Sequence, residues 1–333
     1  MTQNTRQASG EDSLIARYFK PLATDPGALG LVDDAAILKA HGEDIVVTTD
    51  AVVEGVHYLA DDPPDTVARK ALRVNLSDLA AKGATPAGFV LTLALCKADA
   101  ASLEAWLRPF ADALGQDATA FGCPLLGGDT VSTSGPQMMS ITAFGRVPAG
   151  RMVGRTGAKP GHRIMVTGTI GDAALGLDIL RGGPAAVALA GDQAARDELI
   201  DRYRVPRPRN ALAEAVRACA SAAMDVSDGL AGDLRKLCAA SGVSAVIAAA
   251  RIPVSPAAAR TPVAIGKLVS GGDDYEILCA VPQDRCATLH DAAAQAGIPI
   301  TEIGAVTTGD APPRFLDAQG AEIPLQRLSY SHF

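Results

Sequence analysis

The stretch Ile45 to His57, IVVTTDAVVEGVH, constrains this chain more than any other. Ile45, Val46, Val47 and Thr48 have strand character, and Thr49 and Asp50 lead from them into a small-residue turn carrying Glu54, Gly55 and His57. The pattern predicts a carboxylate delivered at the end of a strand. α/β folds place ligands there, because the rigid strand fixes position while the loop keeps the site open. The neighbouring threonine hydroxyls add oxygen donors of the kind that hold hard cations such as Mg2+. An Asp at a strand end is equally an ordinary turn former or helix cap, so the rest of the chain has to decide.

Strands and helices alternate on both sides of a Gly-, Pro- and Arg-rich segment, Arg146 to Gly161, which reads as a linker. The chain is therefore expected to be an α/β (α+β) protein of two domains, residues 1–147 and 148–333. In the first half a helical segment is expected at Ser13 to Phe19, and Asp33 and Asp34 precede the apolar Ala35 to Leu38. A helix is expected from Asp65 to Lys82, with Asp65 as its cap and Gly83 as its stop. Asn75, Asp78 and Lys82 share one face of it, a polar stripe among apolar neighbours that either lines a site or is solvated. A strand from Gly88 to Leu95 and a helix from Ala101 to Gly115 capped by Ser102 follow. In CPLLGGDTVS, the Gly127-Gly128-Asp129-Thr130 segment is either a hairpin turn or a place where backbone approaches a ligand closely. A strand from Met138 to Gly145 closes this half, and Arg151 and Arg155 in the linker are either solvated or reach an anion.

The second half restarts with a strand from His162 to Gly168, the GTIGD turn and a helix from Asp172 to Leu180. GTIGD has the look of a phosphate cradle, although such turns are commonly simple turn chemistry. Arg202 to Asn210, RYRVPRPRN, reads as a stiff, solvated basic loop. Asp225, Ser227 and Asp228 then precede a helix running to Ser241, either as caps or as ligands, and SGGDDYEIL (Ser270 to Leu278) repeats the Gly-Gly-Asp theme before a strand.

Composition excludes several classes. A net charge of -7 disfavours nucleic acid, which demands a basic surface. No apolar run approaches the length of about 18 residues that a bilayer requires. The first residues, MTQNTRQASGEDS, lack the pattern of a secretory signal, and a soluble cytoplasmic protein is expected. The six cysteines never form a C-x-x-C pair, which argues against zinc ribbons and redox pairs. Aspartates recur at element boundaries, most of them beside Gly, Ser or Thr, at positions 34, 50, 78, 129, 225, 228 and 273, while only five histidines occur. Such a donor set selects Mg2+ or Mn2+, ions that usually bind with substrate phosphates as co-ligands. No P-loop or protein-kinase signature is present, so metal-dependent phosphate chemistry on an unusual nucleotide site is indicated, with a two-metal phosphatase or nuclease as the competing class.

VDDAAIL, TTDAVVEGVHY, NLSDLAAKGATP, GGDT, GRTGAKPG, MDVSDGLAGDL and GGDDYEIL, in this order, closely resemble the thiamine-monophosphate kinase family, of the superfamily that includes aminoimidazole ribonucleotide synthetase. The resemblance extends from GEDSLIARYF to the closing SYSHF. It implies a two-domain aminoimidazole ribonucleotide synthetase-like fold, a homodimer joined through the amino-terminal sheets, and transfer of the γ-phosphoryl group of ATP onto thiamine monophosphate to give thiamine diphosphate. It implies several Mg2+ ions on Asp34, Thr48, Thr49, Asp50, Asp78, Asp129, Asp225 and Asp228, nucleotide contacts at Gly128, Asp129, Arg155 and Ser227, and thiamine contacts at His57, Asp273 and Tyr330. Asp50, Asp78 and Arg155 are implied to be catalytic. The chain departs from the family's usual pattern at Val32, where Gly is common, and at Asp273, where Glu is common. The rival enzyme is an aminoimidazole ribonucleotide synthetase-like ATP-dependent catalyst, and the rival non-enzyme is a nucleotide-binding regulator. Selenophosphate synthetase would need a reactive amino-terminal Cys, whereas the first Cys here is Cys96; the hydrogenase-maturation relative would need a carboxy-terminal one.

Overall fold

The computed structural model describes residues 15–26, 40, 42–96 and 99–325. Backbone contacts divide the chain into two units. One takes Val47–Asn75 and Pro86–Gly145 with the short helical turns at Ile15–Phe19 and Lys20–Leu22; the other takes Gly42–Val46, Leu76–Thr85 and everything from Arg146 onward.

The first unit is built on a four-stranded sheet of β1 (Glu43–Val53), β2 (Thr85–Cys96), β3 (Leu125–Thr133) and β4 (Met138–Pro148), in the order β1-β4-β2-β3. In β4 the odd-numbered residues Met139, Ile141 and Ala143 are buried while their even-numbered neighbours are half-buried, the period-2 signature of a sheet with one covered face. β1 and β3 are the sheet's two edges and leave Val47 and Val131 exposed.

Helices α1 (Pro64–Ala81) and α2 (Ala100–Ala120) bury Val67, Ala68, Ala71 and Leu72, and Leu107, Phe110 and Leu114. Buried Asp117 of α2 binds Arg69 and Arg73 of α1, both at 2.5 Å, and ties the pair. The ends of these helices differ from expectation. Pro64 begins α1, since its fixed φ and missing N–H suit a first turn, so Asp65 lies inside that turn. Asp99 caps α2 by accepting from Ala101 N and Ser102 N, both at 3.1 Å, and Ser102 donates to Asp99 instead of capping.

The second unit holds a six-stranded sheet ordered β10-β7-β9-β5-β8-β6, from β5 (Arg163–Thr167), β6 (Ala222–Asp225), β7 (Ser244–Ala248), β8 (Ile277–Val281), β9 (Ile300–Thr307) and β10 (Arg314–Leu316). Alternation again sorts the core: Ile164, Val166, Met224 and Leu278 join one cluster, and Met165, Ala223, Ile277 and Cys279 the other. The helices include α3 (Asp172–Leu180), α4 (Pro184–Ala188), α5 (Gln193–Arg204), α6 (Ala213–Cys219) and α7 (Leu230–Ser241). α3 starts and α7 ends at the residues expected from the sequence. Burial pushes the Cys123 and Cys279 thiols up to about 12, which makes them inert packing groups.

Candidate active site

In the second unit β6 ends on Asp225, whose carboxylate is 4% exposed. Ser77, in the last turns of α1, donates to its Oδ2 at 2.7 Å, a buried contact between residues far apart in the sequence. The following turn, Val226 to Gly229, is held from below by Asp233 of α7. The Asp233 carboxylate accepts from Ser227 N and Asp228 N, each at 3.0 Å, and burial raises its pKa despite the Lys236 ammonium beside it. Asp225 and Asp228 are thus not the caps of α7, which starts from Gly229 with no side-chain cap; Asp233 braces the turn before it, and Asp228 pairs with Lys236.

The Ser270 to Tyr275 loop lies against the same turn. Asp273 N donates to Ser227 O and Tyr275 N to Val226 O, both at 2.8 Å. The structure therefore brings together Asp225, Ser227, Asp228 and Asp273. Lys82 donates to Ala223 O at 2.8 Å, and Val153 N donates back to Lys82 O at 3.1 Å, so the segment expected to be a linker is laid down on the end of α1 and the start of β6. Burial, followed by the nearby Arg155 guanidinium, lowers the Lys82 pKa; Asp225 and Asp78 oppose that shift. Arg155 is exposed.

The reading of the basic segment is overturned, and at the glycine-rich GTIGD turn the simple-turn alternative holds. Arg202 lies on α5 and is 3% exposed, bonding Glu276 at 2.9 Å, and Arg209 bonds the same carboxylate at 2.5 and 2.7 Å; these are not solvated loop charges. A fully buried carboxylate on β8's approach needed partners, and the basic segment supplies them. The GTIGD turn is filled by the protein's own acids: Gly171 N donates to both oxygens of Asp274 at 3.0 Å, and a Cβ on Gly168 would sit 2.0 Å from Glu276 Oε1. Asp274 takes the place at a helix start that a phosphate would occupy. Neither Asp274 nor Glu276 stood out in the sequence, although their alternation with Asp273 and Tyr275 was a strand-like signal.

In the first unit β1 continues to Val53, so Asp50 stands within the strand and not at its end. Thr48 and Asp50 share one face by alternation. Thr49 faces the other way, its hydroxyl donating to Ile141 O at 3.2 Å and accepting from Thr142 at 3.0 Å. His57 follows β1, and its Nδ1 accepts from Val53 N at 3.1 Å while buried Lys70 donates to His57 O at 2.8 Å. The Gly127-Gly128-Asp129 run is not a turn. It lies inside β3, parallel to β2, where a Cβ on Gly128 would fall 1.8 Å from Leu91 O. Asp50 and Asp129 sit on opposite edge strands of the sheet, with β4 and β2 between them. Asp34 and Tyr330 lie outside the described residues.

Residues 32–147 match the model of the AIR synthase related protein N-terminal domain, and residues 159–313 that of the C-terminal domain. A thiamine-monophosphate kinase of Caulobacter vibrioides is 44% identical, over 96% of this chain and 89% of that protein. This chain belongs to the thiamine-monophosphate kinase family. The crystal structure of the thiamine-monophosphate kinase from Stenotrophomonas maltophilia K279a matches with a TM-score of 0.79 at 37% identity, over 91% of this chain and 94% of that one. A structure described as AaThiL complexed with AMPPCP and TMP matches with a TM-score of 0.75 at 27% identity, over 92% of this chain and 97% of that one.

Among the described residues, no three His, Cys, Asp or Glu side chains converge on a ready-made metal cage. What the thiamine-monophosphate kinase family member offers is a set of hard oxygen donors, with Asp225 oriented by a buried hydroxyl. That chemistry fits Mg2+ held jointly with phosphate oxygens, and does not fit zinc. No helix among the described residues is long and apolar enough to cross a membrane.

Proposed function

We propose that this protein phosphorylates thiamine monophosphate at the expense of ATP, giving thiamine diphosphate and ADP. The observation that supports this assignment is the lacing of the oxygen-rich Asp225-Ser227-Asp228 turn to the loop that carries Asp273. Relatives named thiamine-monophosphate kinase, and a related structure with AMPPCP and TMP, support it.

An oxygen of the substrate's phosphate attacks the γ-phosphorus; the new P–O bond forms as the bond to the β,γ-bridging oxygen breaks. The nucleophile is already largely ionised at neutral pH, since a phosphate monoester has its second pKa near 6, and no general base is needed. What the protein must supply is in-line placement and charge compensation between two anions. Asp34, Thr48, Thr49, Asp50, Asp78, Asp129, Asp225 and Asp228 would hold the Mg2+ ions, which contribute that compensation when bound. Gly128 allows close approach of backbone, Arg155 offers an exposed guanidinium to the triphosphate, and Ser227 contacts the nucleotide. His57, Asp273 and Tyr330 would contact the thiamine moiety, whose fixed positive charge suits a carboxylate and an aromatic face.

A homodimer accounts for the first unit's open sheet. Its two edge strands, β1 and β3, with exposed Val47 and Val131, are liabilities in a monomer. A two-fold copy closing the sheet would set β3 of one subunit beside β1 of the other, and so bring Asp129 of one near Asp50 of the other. Light scattering at micromolar concentration tests this; a monomer contradicts it.

The deciding assay supplies ATP and Mg2+ with either thiamine monophosphate or free thiamine. Turnover of the monophosphate alone is expected. Equal turnover of free thiamine would overturn the assignment, because a hydroxyl nucleophile would need a base.

A further inference from the structure

Among the described residues, Asp273 and Tyr275 are the two non-glycine residues with positive φ, at 70° and 51°. Left-handed backbone is disfavoured for side chains with a Cβ and persists only where the surroundings over-determine it. Here the two strained residues alternate with two buried acids. Asp274 is anchored on Gly171 N, and its carbonyl accepts from Arg202 at 3.2 Å. Glu276 accepts from Thr167 Oγ1 at 2.7 Å, from Arg202 Nη2 at 2.9 Å, and from Arg209 Nε and Nη2 at 2.7 and 2.5 Å. Its own carbonyl accepts from Val226 N at 2.8 Å, on the turn that carries Ser227 and Asp228. Tyr275 closes the set by donating its hydroxyl to Asp273 Oδ1 at 3.2 Å.

Stability alone does not explain such a cluster, since well-packed apolar side chains commonly stabilise as much as a buried ion pair. Direction does. An arginine fork bound bidentately fixes the angle of a carboxylate, whereas apolar packing is non-directional.

We propose that Arg202 and Arg209, acting through Glu276, are positioning residues that lock the loop in its left-handed form, so that Asp273 and Tyr275 present one ordered carboxylate-and-phenol surface to the thiamine cation. The substrate half of this statement rests on the function proposed above.

Arg209→Met is the test variant, because Glu276 keeps Arg202 and Thr167 and the fold is retained; Arg209→Lys restores the charge without the fork. Amide hydrogen exchange is read at residues 273 and 275 and, as a reference, along β8. Exchange at the two loop amides is expected to rise about tenfold in Arg209→Met with β8 unchanged. The KM for thiamine monophosphate is expected to rise about tenfold, with smaller changes in kcat and in the KM for ATP, and Arg209→Lys to fall between. A uniform rise in exchange, or none, would show a merely structural pair and overturn the proposal, as would a loosened loop with an unmoved KM. If the unaltered protein does not turn over thiamine monophosphate, the proposed function fails, while the exchange pattern still decides whether the clamp exists.

Discussion

The amide of Asp273 donates to the carbonyl of Ser227 across 2.8 Å, and with the bonds from Tyr275 N to Val226 O and from Val226 N to Glu276 O it joins the two carboxylate-rich motifs of the second unit. Ser77 adds to it from α1, through its 2.7 Å bond to Asp225.

Ser77→Ala is therefore expected to do two things. It removes the donor from a buried carboxylate, which costs about 1–3 kcal/mol in denaturant unfolding. It also removes the hydroxyl that orients the Asp225 carboxylate, and the Mg2+ concentration giving half-maximal rate should rise about tenfold or more. An unchanged Mg2+ curve would show that Asp225 holds no metal.

Asp50→Asn and Asp78→Asn should each lower the rate by roughly 100-fold or more, as the loss of a preorganised electrostatic group does, with folding retained. The companion measurement is initial rate against free Mg2+ with ATP already fully complexed. A curve that is flat from that point would mean that no ion beyond the one carried by ATP takes part.

Gly128→Ala tests the close approach of β3 to β2. A methyl group 1.8 Å from Leu91 O forces the strands apart, and a loss of about 3 kcal/mol is expected in urea unfolding. Gly127→Ala is the control, because a Cβ there meets nothing within 4 Å.

Asp274 makes stability depend on pH. Burial raises its pKa well above 3.8, with Asp172 and Glu276 adding to the rise and Gly171 N and Arg202 opposing it. Between 3.8 and that raised value the folded state binds more protons than the unfolded one, so this group's stabilisation is fully present below 3.8 and is lost as pH rises through the folded value. Asp274→Asn should lack that slope and gain on the parent protein as pH rises, seen in denaturant titrations at stepped pH. Parallel curves for the two proteins would contradict this.

The sequence resolved best where a local rule decides. Asp172 starts a helix after a left-handed Gly171, and Gly242 ends another at Ser241, because backbone sterics act within a few residues. It resolved poorly where a local signal has two outcomes. Gly127 and Gly128 read as either a turn or a close approach to a ligand, yet Gly128 is demanded by a neighbouring strand that no local pattern reveals. Asp50 read as a strand end, but pairing beside β4 carries β1 on to Val53.

By itself the sequence determined the family, the two-part α/β plan and the inventory of aspartates, since motif order, hydrophobic period and composition are all carried in the linear chain. Only the tertiary structure decided which charges are free to meet a ligand. It buried Arg202, Asp274 and Glu276 in a mutual network while leaving Arg155 exposed, although all four are merely charged residues beside Gly or Pro-rich turns in the sequence. The reason is desolvation: a charge can be taken out of water only beside its counter-charge, and long-range folding alone fixes where that partner stands.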